Sequence, residues 1–221
     1  MTQKVVVGWS GGKDSALALY EVLKAGFEVL ALLTTVTQDD DRVSVHGVRR
    51  ALLEQQAEAL GLPLELMLIP SGASDREYER ELLTFLRSYR NRGVVSVVFG
   101  DIFLEDVKRY RDELLAKIRM RGLYPLWKRD TRELANQFIN LGFKAVVTVV
   151  DGNVLSKDFA GREYNLKFLF DLPAGVDPCG ENGEFHSFVF DGPIFRKPVA
   201  FARGEVAQRD GRFFYCDLMP I

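Results

Sequence analysis

One short stretch constrains this chain more than any other: Ser10-Gly11-Gly12-Lys13-Asp14-Ser15. Before it stands the β-branched run Val5-Val6-Val7, which reads as a buried strand. After it, residues 16–24 are apolar at helical spacing and stop at Gly26. The six residues therefore form a strand-to-helix turn. Two adjacent glycines let the backbone fold tightly and let a ligand approach it. Their N–H groups, with those of the first helical turn, make a concavity that suits an anion such as phosphate. Ser10 and Ser15 add hydroxyls and Lys13 adds a positive charge.

The loop is not a Walker A loop. That motif needs Gly, four residues, then Gly-Lys-Ser/Thr. Aligning Gly12-Lys13 puts Val7 at the first glycine and Asp14 at the Mg²⁺-binding hydroxyl, so the match fails twice. The string instead resembles the PP-loop of the ATP pyrophosphatases. That resemblance implies ATP held by its β,γ-pyrophosphate at Ser10, Gly11, Gly12, Lys13, Asp14 and Ser15, and cleavage between the α and β phosphates.

The 221 residues, 47% apolar, are enough for one large domain or two small ones. No apolar run approaches a membrane span, and strand and loop stand where a signal peptide needs an apolar stretch. A cytoplasmic protein is expected. Cys179 and Cys216 are too few for a disulfide framework, lie in no CxxC pair, and read as reduced and structural. A formal charge of −2 gives no sign of a nucleic-acid surface, and the local arginine clusters read as solvated helix faces.

Strands are expected at 27–34, 64–69, 94–99 and 145–150, with helices at 51–60, 74–90, 105–118 and 131–141. Ser74 with Glu77 forms a capping-box signature, and Asp130 is an N-cap. Residues 37–44, with Asp39-Asp40-Asp41, read as a mobile loop, Gly122 as a helix stop, and 124–127 as a short extended piece. This alternation predicts a parallel α/β sheet flanked by helices, with ligands at the carboxyl ends of the strands. The Ser10 loop, the Thr37 loop, Pro70-Ser71 and Gly100-Asp101 fall at that end. Beyond about residue 155 come a short helix at 163–170, a Pro/Gly-rich link, and alternating strands at 185–190, 199–206 and 213–218. The expected division is an ATP-binding domain, 1–130, and a smaller C-terminal α+β substrate domain, 131–221.

Four stretches together resemble the diphthine–ammonia ligases (diphthamide synthetases) and their short prokaryotic relatives. They are the PP-loop, His46-Gly47 ahead of Glu54 to Pro63, Gly100-Asp101-Ile102 with Arg109, Glu113 and Pro125-Leu126-Trp127, and Cys179-Gly180-Glu181-Asn182-Gly183-Glu184-Phe185-His186 leading to Asp191-Gly192-Pro193. The resemblance implies an adenine-nucleotide α-hydrolase fold with a C-terminal substrate domain. It implies ATP, Mg²⁺ and ammonium as reactants, with a carboxylate converted to an amide through an acyl-adenylate as AMP and pyrophosphate leave. The carboxylate is diphthine on elongation factor 2, or a related one if the source is bacterial, because Asn182 and His186 depart from the eukaryotic pattern.

Lys13, Asp101, Glu181, Glu184 and His186 are the expected catalytic residues. His46 and Gly100 join the loop in binding nucleotide, and Asp101 is the metal or ribose contact. Strand alternation would put Glu184 and His186 on one face, where they accept protons from ammonium or bind a cationic substrate group, apart from the ATP pocket. Trp127 and Arg129 touch nucleotide or substrate, or pack at the domain junction. A homo-oligomer is possible. A tRNA-modifying PP-loop enzyme is the competing enzymatic reading, and a non-catalytic ATP-binding sensor is the reading from another class.

Overall fold

The structure is a computed structural model that describes residues 2–39, 41–43, 46–70 and 72–221. Strand β1 (Lys4–Gly8) carries Val5, Val6 and Val7, all fully buried. Alternation sends Val5 and Val7 to one face of the sheet and Val6 to the other. Both faces are covered, which is why the run is continuously apolar.

The parallel pairings join β1 to β2 (Glu28–Thr37) and to β5 (Ser96–Val98), β2 to β4 (Leu64–Ile69), and β5 to β6 (Arg121–Leu123). The parallel order is thus β4-β2-β1-β5-β6, and the strand order reverses at β1. The crevice in which such sheets bind ligands lies there, between the carboxyl ends of β1 and β5. Helices α1 (Lys13–Lys24) and α2 (Arg50–Leu60) cover the face of Val5 and Val7. Helices α3 (Asp75–Asn91) and α4 (Glu105–Ala116) cover the face of Val6. The α3 start is a full capping box: Glu77 N–H donates to the Ser74 hydroxyl, and the Ser74 N–H donates to the Glu77 carboxylate at 2.8 Å. Such a cap contributes about 1 kcal/mol. Asp130 caps α5 (Thr131–Asn140) by accepting from Glu133 N–H.

A second sheet, antiparallel throughout, has the order β8-β7-β10-β9. Its strands are β7 (Lys144–Asp151), β8 (Phe185–Asp191), β9 (Phe201–Arg209) and β10 (Phe213–Pro220). The short helix α6 (Leu166–Asp171) presents Phe168 to Phe159, Tyr164 and Phe185, with ring centroids 5.2 to 5.6 Å apart. The core of this sheet is continuous with that under α1 and α2.

Four expectations need correction. β7 follows a helix, yet it pairs antiparallel with β8 and β10 and leaves the parallel sheet. Gly122 is not a helix stop: α4 ends at Ala116, and Gly122 lies in β6, where a side-chain Cβ would stand 2.4 Å from the Tyr124 ring. Residues 124–127 turn instead of extending. Part of the Thr37 loop is strand, since β3 (Arg42–Val43) pairs antiparallel with the end of β2. Asp40, Ser44 and Ser71, included in the expected ligand-end loops, lie outside the described residues.

Candidate active site

The Ser10–Ser15 loop leaves β1 and enters α1 as the spacing requires. Gly11 has φ +77°, a conformation that favours glycine. A Cβ there would stand 2.7 Å from both the Gln56 Oε1 and the Leu53 side chain, so the glycine is demanded from below the loop. The steric consequence of Gly11→Val therefore falls on α2. Gly12 is packed as closely: its Cβ would meet His46 Cε1 at 2.9 Å and the Ser187 carbonyl at 3.0 Å. At the end of β5, a Cβ on Gly100 would stand 2.7 Å from the Asp14 carbonyl carbon, so β5 abuts the first turn of α1.

The loop rests on strand β8 of the second sheet. Val189 N–H donates to the Gly11 carbonyl at 2.9 Å, and Lys13 N–H donates to the Ser187 hydroxyl at 3.2 Å. Gln56, fully buried on α2, completes the joint. Its amide donates to the carbonyls of Gly11 (3.0 Å) and Val189 (2.6 Å), and its oxygen accepts from the Trp9 indole N–H (3.0 Å). Within the loop, the Ser10 and Ser15 hydroxyls are 3.2 Å apart and Ser15 donates to the Gly12 carbonyl.

Lys13 is 5% exposed, with its ammonium 2.6 Å from Asp14 Oδ2 and 5.5 Å from the centre of the Phe185 ring. Burial opposes its charge, but the Asp14 carboxylate beside it holds its pKa above the ordinary lysine value. Burial pushes the Asp14 carboxyl up, against the pull of Lys13.

Above the loop, one cavity of about 710 Å³ opens at the strand ends. It is within the usual range for a small-molecule site. Ser10, Lys13, Asp14, Ser15, His46 and Gly100 line it, and so do Asp101, Glu181 and His186. Gly11 and Gly12, expected to bind nucleotide, do not line it; they pack against Gln56 and Leu53 and against His46 and Ser187. Glu181 bridges the two halves: its Oε1 accepts from Ile102 N–H at 2.7 Å, just past Asp101. Burial pushes its carboxyl up to about 7, against that N–H and with the charge of Asp14 adding to the rise. His46 and His186 face each other with ring centroids 4.6 Å apart. Burial lowers His46 to about 4 and sends His186 well below the ordinary histidine value, so both are neutral at pH 7. The segment carrying His46 is pinned to β10 by Asp217, which pairs with Arg42 at 2.9 Å and Arg49 at 2.6 Å.

Three expectations about the site change here. Glu184 does not line the cavity. Its carboxylate turns into its own loop, accepting from Asp177 N–H, Asn182 N–H and the Asn182 amide at 3.0 to 3.1 Å. It braces the bend that presents Glu181, and it shares no face with His186. The separation of an acidic substrate end from the loop also goes, since Glu181 and His186 open into the same cavity as Lys13. The metal role expected of Asp101 has no donor set made of protein side chains alone. Mg²⁺ sits on one or two carboxylates plus substrate phosphates. Among the described residues no three His, Cys, Asp or Glu side chains converge on one point. Asp14 faces Lys13 and Asp101 faces Arg111 at 3.2 Å. These residues do not assemble a protein-held Mg²⁺ site; they fit a cation carried in on phosphates.

Cys179 is buried, its thiol donating to the Thr131 carbonyl at 3.3 Å, and burial raises its pKa, as expected of a structural thiol. Arg129 packs at the junction of α1 and α5, bonded to Glu21 and Gln137. Gln56, Trp9 and Ser187 escaped the sequence reading. A Gln on the apolar stripe of a helix, at the position where Leu or Ala is expected, is the one signal that pointed to Gln56. No helix among the described residues is long and apolar enough to cross a membrane.

Residues 3–122 match the model of the diphthamide synthase N-terminal domain, and residues 130–216 match that of the C-terminal domain. The chain is 30% identical over 212 residues to a diphthine–ammonia ligase of Danio rerio, covering 86% of this chain and 83% of that protein. It is 26% identical over 219 residues to the human protein of the same name, covering 89% and 82%. Similarity to the tRNA-specific 2-thiouridylase MnmA of Alkalilimnicola ehrlichii is 40% over 89 residues, 40% of this chain and 24% of that protein. Matched by both domain models in order along nearly its whole length, the chain belongs to the diphthamide synthase family.

Proposed function

We propose that the chain is an ATP-dependent carboxylate–ammonia ligase that activates its carboxylate as an adenylate. Family membership makes it an ATP-dependent ligase of the PP-loop type. Diphthine on elongation factor 2, or a carboxylate of the same kind, is the proposed acyl substrate, after the name its relatives carry. Residues 1–130 are the proposed nucleotide half and 131–221 the substrate half.

A carboxylate oxygen attacks the α-phosphorus of ATP, the bond from that phosphorus to the α,β-bridging oxygen breaks, and pyrophosphate leaves. The nitrogen lone pair of ammonia then attacks the acyl carbon, and AMP leaves. The protein supplies position and charge. The loop N–H groups, Ser10, Ser15 and Lys13 hold the pyrophosphate. Glu181, poised near 7, takes the proton that turns ammonium into ammonia. His46 and His186, both neutral, add no charge that would repel ammonium. Mg²⁺, when bound, would be held chiefly by the phosphates and would screen their charge.

The observation that carries this reading is the shared cavity: the phosphate loop and the Gly180–Ser187 segment face the same space. The test uses ATP labelled at the γ position, ammonium, and a panel of carboxylates that includes diphthine-bearing elongation factor 2. Label is expected in pyrophosphate, with AMP as co-product. Label in orthophosphate with ADP, in the absence of pyrophosphatase, refutes the reading.

A further inference from the structure

Asp101 and Arg111 both line the cavity. Among the described residues, Asp101 Oδ2 and Arg111 Nε are both buried and neither has a hydrogen-bond partner. They stand 3.2 Å apart, close enough to attract as charges but not aligned to bond. They neutralise each other as charges, yet neither atom fills its hydrogen-bonding capacity, which leaves the pair able to re-form around a ligand. Arg111 comes from α4 and lies over the Phe99 ring, 4.3 Å from its centre. Asp101 follows Gly100, which abuts the first turn of α1.

We propose that Arg111 receives the α-phosphate of the bound nucleotide, while Asp101 accepts a hydrogen bond from its ribose. The assignment rests on the ligase reading. Lys13 and Arg111 are the lysine and arginine side chains among the described residues lining the cavity. Lys13 is committed to the loop and to Asp14. With the β,γ-pyrophosphate in the loop, the α-phosphorus lies one bridging oxygen away, on the side where β5 meets α1. Nε and Oδ2 are themselves shielded, so a ligand meets the two side chains as groups: Arg111, 34% exposed, offers donors to an α-phosphate oxygen, and Asp101 offers an acceptor to a ribose hydroxyl of the same nucleotide. The Arg111 guanidinium neutralises the charge that gathers on the α-phosphate oxygens as the carboxylate oxygen bonds to phosphorus and the bridging oxygen departs with pyrophosphate.

AMP and adenosine differ only in that phosphate, so their affinities isolate it. Calorimetry on the full chain should show AMP binding more tightly than adenosine. Arg111→Gln should cut that preference about 10- to 100-fold, the scale of a charged hydrogen bond, and leave adenosine affinity unchanged. Lys13→Ala should weaken ATP yet keep the AMP-to-adenosine ratio. An unchanged ratio in Arg111→Gln overturns the assignment, and so does a loss that appears with Lys13→Ala instead. Should Arg111→Gln fail to fold, Arg111→Lys, which keeps the charge and loses the planar fork, must still reduce the ratio, and an unchanged ratio there also overturns it. If neither ATP nor AMP binds the wild-type chain, the nucleotide reading falls first. If both bind and the ratio resists substitution, only the role of Arg111 falls.

Discussion

Replacing Gln56 by Met tests the joint between the phosphate loop and the second sheet. Met nearly conserves the volume, so little cavity opens and the loss is one of hydrogen bonds. Three are lost: one from Trp9 and two to the carbonyls of Gly11 and Val189. At about 1 kcal/mol each the sum is about 3 kcal/mol. The Gly11 carbonyl keeps the Val189 N–H at 2.9 Å and stays satisfied. The Trp9 indole N–H does not, and a buried orphan donor raises the total to about 3–5 kcal/mol. That is a large share of the roughly 5–15 kcal/mol by which domains are stable. For a chain of this size it amounts to a fall of about 6–20 °C in Tm. Urea unfolding of wild type and Gln56→Met gives the free energy, and ATP titration gives the site. Both should suffer, because the loop and β8 lose the same tie. Gln56→Glu should be worse, since a carboxylate would then face two carbonyls. A loss under about 1 kcal/mol, or lower stability with ATP affinity intact, refutes the reasoning.

Other outcomes follow from the same geometry. Gly12→Ala should weaken ATP binding by displacing His46 and Ser187, whose atoms stand 2.9 and 3.0 Å from the new Cβ, and titration with ATP checks it. Stability should depend on pH through His46: its folded pKa of about 4 lies below the unfolded value of about 6.5, so the unfolded chain binds more protons between the two. The contribution, about 3 kcal/mol, is complete above pH 6.5 and is lost as the pH falls toward 4. Glu181, raised to about 7, opposes this slope and His186, lowered by burial, adds to it, so the His46 share is read by denaturation as the difference in slope between wild type and His46→Gln across that window. Glu184→Gln should lower Tm by loosening the 177–184 bend, because an amide nitrogen then meets N–H donors; an unchanged Tm counts against the brace.

What the sequence made legible was local. The strand–loop–helix at Ser10, the capping box at Ser74 and the cap at Asp130 each depend on residues a few positions apart, and each formed as expected. Pairings between distant segments were not legible. β6 has three residues and owes its existence to β5, so Gly122 carried no strand signal of its own. β7 follows a helix as a parallel strand would, yet its partners arrive only at residues 185–191 and 213–215. In the site, residue type and motif pointed to Lys13, Asp101, Glu181 and His186, all of which line the cavity. The orientation of Glu184 was hidden, because the bend just before β8 breaks the alternation that would have aligned it with His186. Arg111 read as one of many surface arginines, and only the fold brings it beside Asp101.

The dependence of the loop on β8 has a consequence for the chain during its own synthesis. Lys13 is made before its support, for the hydroxyl that accepts its N–H belongs to Ser187, 174 residues later. At translation rates of about 5–20 residues per second, that interval is roughly 9–35 s. Through it the first sheet can form with its phosphate loop still unbacked, and Gln56 has one of its two carbonyl partners still to come. The loop therefore gains its backing, and with it the geometry to hold a nucleotide, only after β8 has been made.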